Sequence, residues 1–262
     1  MGVLERILKI FGVYRLYEKW LYDQISKGEM PKHIGVILDG NRRWAARRGL
    51  YSWLGHKVGA EKVKDLLKWC YELGIQAVTL YTFSTENFSR PEKEREELMK
   101  ILEEKVIEAI NDQEIHKRKI RIKFIGDLSL LNERLVRKMR ELEELTKDYK
   151  NMIVNIAVAY GGKHEILMAT KKIAEKVYRG EILPEQITYD LFQEHLYTSH
   201  LDQQDVDMIL RTGGEMRLSN FLLWQSAYSE LIFLDIYWPD FRKIDLMRAI
   251  RTFQKRQRRF GR

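Results

Sequence analysis

Cysteine and proline are scarce in this chain of 262 residues, which has a single cysteine, Cys70, and 4 prolines. One cysteine excludes an internal disulfide framework, and no Cys/His set has the spacing of a structural zinc site. The fold must therefore rest on its own core, and a reducing, cytoplasmic setting is expected. No apolar run reaches the roughly 18–20 residues needed to span a bilayer. The N-terminus also lacks the apolar h-region and small-residue cleavage site of a signal peptide. The expectation is a protein that is soluble or sits peripherally at a membrane. Internal repeats, low-complexity tracts and Pro/Gly/Ser linkers are missing too. So are G-x-x-x-x-G-K-[ST], G-x-G-x-x-G after a strand, H-E-x-x-H and any Asp-Asp pair.

What is present is a 45% hydrophobic composition, ample for a core, and 46 Lys+Arg against 38 Asp+Glu, a formal net charge of +8. That charge suits nucleic acid, anionic lipid or a phosphorylated small molecule equally well. Leu4, Ile7, Leu8, Phe11, Tyr14, Tyr17, Trp20 and Leu21 recur at mostly helical spacing, which predicts an amphipathic helix over 3–26. Its ordinary fate is to pack on the domain; resting on a lipid surface is the alternative. Gly28 and Pro31 end it, so the chain divides into an N-terminal helical extension, 1–31, and one domain, 32–262.

In that domain short apolar runs alternate with helical patterns. Strands are predicted at His33–Leu38, Ala77–Tyr81, Ile120–Ile125, Met152–Ala159, Val206–Leu210 and Leu231–Ile236. Helices are predicted at 57–73, at 92–118 as one long element behind Pro91, at 130–147, 162–178 and 244–258, with a helical detour at 184–196. Continuous Val/Ile/Leu runs with little polar alternation argue for strands buried on both faces. The fold class is therefore α/β: a single domain with a mainly parallel six-stranded sheet flanked by helices.

In such a sheet ligands bind beyond the carboxyl ends of the strands. Three loops there are unusual: Asp39-Gly40-Asn41-Arg42-Arg43-Trp44 after the first strand, Phe83-Ser84-Thr85-Glu86-Asn87-Phe88-Ser89-Arg90 after the second, and Arg211-Thr212-Gly213-Gly214-Glu215-Met216-Arg217-Leu218-Ser219-Asn220 after the fifth. Each combines carboxylate, guanidinium and small or amide residues, as a diphosphate site requires. Arginines clamp oxygens bidentately, glycines let backbone N–H groups approach, and a carboxylate can hold Mg²⁺. Singly, each loop also reads as a turn, a helix cap or a plain strand exit. Their recurrence after three strands of one sheet favours a shared pocket.

The chain resembles the cis-prenyltransferases, the undecaprenyl diphosphate synthase family, from about His33 to Gly261. The motifs are D-G-N-R-R-W-A, G-H-K-x-G-A, L-Y-x-F-S-T-E-N-F-x-R-P, N-I-A-V-A-Y-G-G, R-T-G-G-E-M-R-L-S-N-F-L-L-W-Q, Y-S-E-L-I-F and W-P-D-F. The resemblance implies Mg²⁺-dependent, repeated cis addition of isopentenyl diphosphate to an allylic diphosphate primer. It implies Asp39 as the central catalytic carboxylate and Glu230 as a second carboxylate at the metal. Gly40, Asn41, Arg42, Arg43, Trp44 and His56 would hold the allylic diphosphate, and Arg211, Arg217 and Ser219 the isopentenyl diphosphate. Asn87, with Ser84, Glu86, Phe88 and Arg90, would lie in a loop that closes over the reacting carbons, where Asn87 assists proton removal.

The closing Arg259-Phe260-Gly261 resembles an R-x-G element that reaches into the partner's site in family homodimers, so a homodimer is implied. A hydrophobic tunnel between the sheet and the helices near 57–73 and 91–117 would house the product, a long polyprenyl diphosphate expected as the precursor of a glycosyl carrier lipid. Many bacterial members carry an arginine where this chain has Ser52, so that contact is expected to be absent or supplied by Arg47 or Arg48. The doubled Arg42-Arg43 and the extension before Pro31 look archaeal or eukaryotic, leaving the primer open between geranylgeranyl and farnesyl diphosphate. A catalytically silent partner subunit is opposed by the retained Asp39, Arg43, Arg211, Arg217 and Glu230. A nucleic-acid binder lacks any recognised motif.

Overall fold

The structure is a computed structural model, and it describes residues 13–256. Six strands form one sheet: β1 (His33–Ile37), β2 (Ala77–Ser84), β3 (Ile120–Ile125), β4 (Met152–Tyr160), β5 (Met208–Arg211) and β6 (Glu230–Phe233). Their order is β3-β4-β2-β1-β5-β6, and every pairing is parallel. Parallel pairing brings all the strand C-termini, and hence the three loops, to one edge.

The helices are α1 (Val13–Ile25), α2 (Asn41–Ala46), α3 (Ser52–Glu72), α4 (Glu92–Ile110), α5 (Gln113–Arg118), α6 (Glu133–Thr146), α7 (Gly162–Tyr178), α8 (Tyr189–Gln193) and α9 (Lys243–Lys255). Strand alternation divides the core. Ile34, Val36, Val78, Leu80 and Ile122 face Leu66 of α3, Val106 of α4, Met139 of α6 and Ile250 of α9. Ile37, Tyr81, Tyr160 and Ile209 face the other way, against Phe221 and Leu222. Leu21 and Ile25 of α1 are fully buried in the first of these clusters. Gln254 of α9 donates to the Ile25 carbonyl at 2.8 Å, and Lys243 pairs with Glu18 at 3.0 Å.

Three elements differ from the sequence expectation. The helix expected over 92–118 breaks at Asn111–Asp112, because the Asp112 carboxylate accepts the Glu114 N–H at 2.9 Å and caps a new helix, α5. The stretch 39–56, expected as a loop, holds α2 and the start of α3. Gly55 and Gly59 make this possible. A Cβ on either would meet the Asn41 carbonyl or side-chain oxygen at 2.1 Å, so α3 can lie against α2 only with glycine there. The last strand stops at Phe233, short of the expected Ile236.

Candidate active site

β1 lies between β2 and β5, so the chain leaves it toward one side of the sheet and returns on the other. That is the topological switch point at which open parallel sheets bind ligands. Asp39 stands just beyond β1, and Arg211 ends the neighbouring β5. The Asp39 N–H turns back to the Ile37 carbonyl at 2.9 Å, and Gly40 follows at φ 101°, a left-handed conformation that opens α2. A Cβ on Gly40 would also meet the Tyr237 ring at 2.7 Å.

The Asp39 carboxylate is gripped from two sides. Arg211 Nη2 donates to Oδ2 at 2.8 Å, and Arg43 Nη2 to Oδ1 at 3.2 Å. Burial pushes the carboxyl up, but the Arg211 hydrogen bond, the Arg211 and Arg43 charges and the Gly40 N–H outweigh it, so the net shift is downward and Asp39 is ionised. Arg211, itself 4% exposed, also donates from Nη1 to Ser219 Oγ at 2.8 Å and to the Arg217 carbonyl. Gly213, at φ 89°, lets the β5 loop approach: a Cβ there would meet Arg43 Nη2 at 2.9 Å.

Two carboxylates that sequence reading passed over bind this arginine set together. Glu215 accepts from Arg43 at 3.2 Å and from Arg217 at 2.6 Å. Glu94, on the first turn of α4, accepts from Arg90 at 3.1 Å and lies 3.6 Å from Arg42. Glu215 stood in a loop already singled out; Glu94 was hidden in a charged run that reads as a solvated helix face. On the loop after β2, the Asn87 amide oxygen accepts the Ser84 N–H at 3.1 Å, which shapes the 3-10 turn Thr85–Ser89.

Below these loops a cleft of about 1480 Å³ runs between the sheet and α3, α4 and α5. Asp39, Asn41, Arg42, Arg43, His56, Ser84, Glu86, Asn87, Arg90, Arg211, Arg217 and Ser219 line its polar mouth. Val63, Leu67, Leu98, Leu102, Ile122 and Ile156 are among its apolar walls. Its volume exceeds the roughly 300–1,000 Å³ of ordinary small-molecule pockets, as a long apolar guest needs. The cleft lies where the sequence led us to expect a tunnel, between the sheet and the helices near 57–73 and 91–117. Asn41 Oδ1, His56 Nε2 and Arg211 Nε, all at the mouth, are buried without a hydrogen-bond partner. Burial lowers the His56 imidazole to about 4, the Arg90 and Arg42 charges add to this, and Asp39 opposes it, so His56 is neutral near pH 7.

A family model described as undecaprenyl diphosphate synthase, a prenyltransferase family, matches residues 37–261. The chain belongs to the undecaprenyl diphosphate synthase family. It is 52% identical over 256 residues to the geranylgeranyl-diphosphate-specific tritrans,polycis-undecaprenyl-diphosphate synthase of Methanocaldococcus jannaschii, covering 98% of this chain and 91% of that one. The protein of the same name from Pyrococcus abyssi is 46% identical over 263 residues, covering 100% and 99%. Lavandulyl diphosphate synthase from Lavandula x intermedia, solved with dimethylallyl diphosphate, superposes with a TM-score of 0.84 at 36% identity, over 89% of this chain and 99% of that one.

Against the family pattern, some expected site residues lie elsewhere. Glu230 opens β6, where the register pairs it with Met208, itself paired with Ile34. It therefore sits at the edge where strands begin, roughly 15 Å along the strands from Asp39 at the other edge. There it pairs with Arg256 at 3.0 Å. Within one chain the two carboxylates cannot share an ion, which corrects the expectation of a joint metal site. Trp44 donates from its indole to Asp240 at 2.8 Å and stacks under Arg48, and Phe88 packs edge-on against Phe83, so neither lines the cleft. Ser52 does line it, whereas Arg47 lies over Tyr237 and Arg48 pairs with Asp240. Arg259 and Gly261 lie outside the described residues.

Members of this prenyltransferase family use Mg²⁺. No group of three or more His, Cys, Asp or Glu able to hold a metal ion occurs among the described residues. Magnesium still fits, since it takes one or two carboxylates and completes its shell with substrate phosphates and water. Asp39, ionised at the cleft mouth and flanked by the Arg43 and Arg211 guanidinium groups, is such a donor.

Proposed function

We propose that this protein is a cis-prenyl chain-elongating transferase that adds isopentenyl diphosphate repeatedly to geranylgeranyl diphosphate, making a long polyprenyl diphosphate for a glycosyl carrier lipid. The observation that carries the reading is one juxtaposition: an ionised carboxylate between guanidinium groups at the mouth of a large apolar cleft. The primer is chosen because the relatives named above are called geranylgeranyl-diphosphate specific.

Asn41, Arg42, Arg43 and His56 receive the allylic diphosphate, with the α2 N-terminus adding backbone N–H groups. Arg211, Arg217 and Ser219 receive the isopentenyl diphosphate. In the free protein Asp39, Glu215 and Glu94 neutralise these guanidinium groups, and the diphosphates take their place. Asp39 would hold Mg²⁺, which when bound would supply charge stabilisation to the departing diphosphate. The allylic C–O bond breaks as diphosphate departs, the isopentenyl double bond forms the new C–C bond, and a proton passes to an oxygen of the departing diphosphate, with Asn87 assisting, as the new double bond forms. The lengthened chain slides into the apolar cleft and the next isopentenyl unit enters.

A homodimer goes with this reading, the Arg259-Phe260-Gly261 tail of one protomer serving its partner, as does a cytoplasmic location with peripheral membrane contact through the N-terminal helix. Purified protein incubated with Mg²⁺, labelled isopentenyl diphosphate and primers of several lengths should give products longer than the primer. Failure to elongate any of them overturns the reading.

A further inference from the structure

Asn220 follows the isopentenyl-diphosphate clamp directly and lines the same cleft, but none of the roles assigned above falls to it. Its amide is used at both ends. Nδ2 donates to Glu86 Oε1 at 2.8 Å, and Oδ1 accepts the Lys163 N–H at 2.8 Å. Its own carbonyl accepts the Gly162 N–H at 2.7 Å. One residue thus ties together three segments: the loop after β2, through Glu86; the first turn of α7; and the clamp loop, through its neighbour Ser219.

The local backbone explains the residue type. Ser219 and Asn220 have φ of 50° and 64°, left-handed values that asparagine tolerates better than most side chains. An amide can donate to a carboxylate through Nδ2 while accepting a backbone N–H through Oδ1, two separate atoms that reach in different directions. The joint is also tight, since a Cβ on Gly161 would meet both Asn220 Nδ2 and Thr85 Oγ1 at 2.8 Å. Ser219, meanwhile, is held from two sides: Arg211 Nη1 donates to its hydroxyl at 2.8 Å and the Tyr81 hydroxyl to its carbonyl at 3.1 Å. A diphosphate that draws on Arg211 and Ser219 pulls on the residue next to Asn220, and so on the bond to Glu86.

We propose that Asn220 is a positioning residue that couples occupation of the isopentenyl-diphosphate clamp to ordering of the Thr85–Ser89 turn, so that this turn closes only over a filled site. The inference rests on the clamp assignment in the proposed function. It requires that Asn220 act through Glu86 rather than touch substrate.

Asn220→Asp separates the two ends of the amide. The carboxylate still accepts the Lys163 N–H, at a helix N-terminus that favours negative charge, but it repels Glu86. Amide hydrogen exchange is measured on the full chain with and without isopentenyl diphosphate and Mg²⁺. In the wild type the ligand should slow exchange across residues 84–90, and in Asn220→Asp that protection should vanish. Adding Glu86→Gln to Asn220→Asp restores a donor facing the new carboxylate and should restore protection. In steady state Asn220→Asp should raise the KM for isopentenyl diphosphate about tenfold, the weight of one hydrogen bond to a charged group, with the primer KM unchanged.

Ligand-dependent protection that survives in Asn220→Asp, or is missing from the wild type, overturns the proposal. If Asn220→Asp folds poorly, Glu86→Ala removes the same bond from the other side and is read by the same exchange measurement. A wild type that elongates no primer refutes the functional reading instead, so the two failures are distinguishable.

Discussion

Asp39 is the residue whose surroundings most sharply limit what it can be. An ionised carboxylate touched by Arg211 and Arg43 could be a structural ion pair, but Arg211 has other partners in Ser219 and the Arg217 carbonyl. Asp39→Ala should therefore leave a folded protein while turnover falls by about 10³-fold or more, because charge on the departing diphosphate loses its counterweight. Circular dichroism and the elongation assay check the two halves, and near-normal activity would show that the metal assignment is wrong. Much of this was legible in the sequence, though not from this loop alone: three such loops after three strands, and the family motifs they carry, singled Asp39 out. Glu230 was not legible. Whether a residue at a strand boundary faces the ligand edge or the opposite one depends on chain direction and register, and Glu230 begins a strand where Asp39 follows one. Glu94 escaped notice for another reason: partners far apart in sequence turn an ordinary helix-face carboxylate into part of the site.

The strands carry a second polar feature with a measurable signature. His33 of β1 shares the Thr79 hydroxyl of β2 at 2.8 Å, Asn155 of β4 donates to that hydroxyl at 3.1 Å, and His200 lies 2.8 Å from the Asn155 oxygen. Burial lowers both His33 and His200 to about 4, Lys123 and Arg121 contributing at His200 and Asp207 opposing at His33. The folded state thus keeps neutral two imidazoles that the unfolded chain protonates below its ordinary value of about 6.5. Their stabilisation is complete above that pH and is lost as pH falls toward 4. Unfolding midpoints should drop between pH 7 and 5, His33 accounting for on the order of 1–2 kcal/mol, and His33→Gln should flatten the profile. At the same scale the helices around the cleft were readable from their periodicity, but apolar residues lining a void look the same in sequence as apolar residues filling a core. Leu102→Trp, on the cleft-facing side of α4, separates the two cases. If Leu102 borders the product's path, products sized by chromatography should shorten while initiation persists; a core position would instead lose stability through overpacking.

Across the whole molecule the alternation of strands and helices was plain in the sequence, whereas the order β3-β4-β2-β1-β5-β6 was not, because patterning says which face is buried but not which neighbour is paired. The net charge of +8 also finds its place in part, since several of the arginines converge on one edge of the sheet, interleaved with acids. Deleting residues 257–262 tests the trans role of the tail. Expected are an unchanged unfolding midpoint and a weakened isopentenyl-diphosphate KM, measured beside the sedimentation behaviour of both forms. The cleft of about 1480 Å³ carries one more consequence. Its Leu, Ile and Val walls are apolar surface that a guest chain would cover with dispersion contacts. In the proposed function that guest is the isoprenoid chain, which would complete the interior from outside the polypeptide. Each added unit should raise the unfolding temperature and reduce the volume lost under pressure, until the guest completes the host and dissociation becomes the slow event of the cycle.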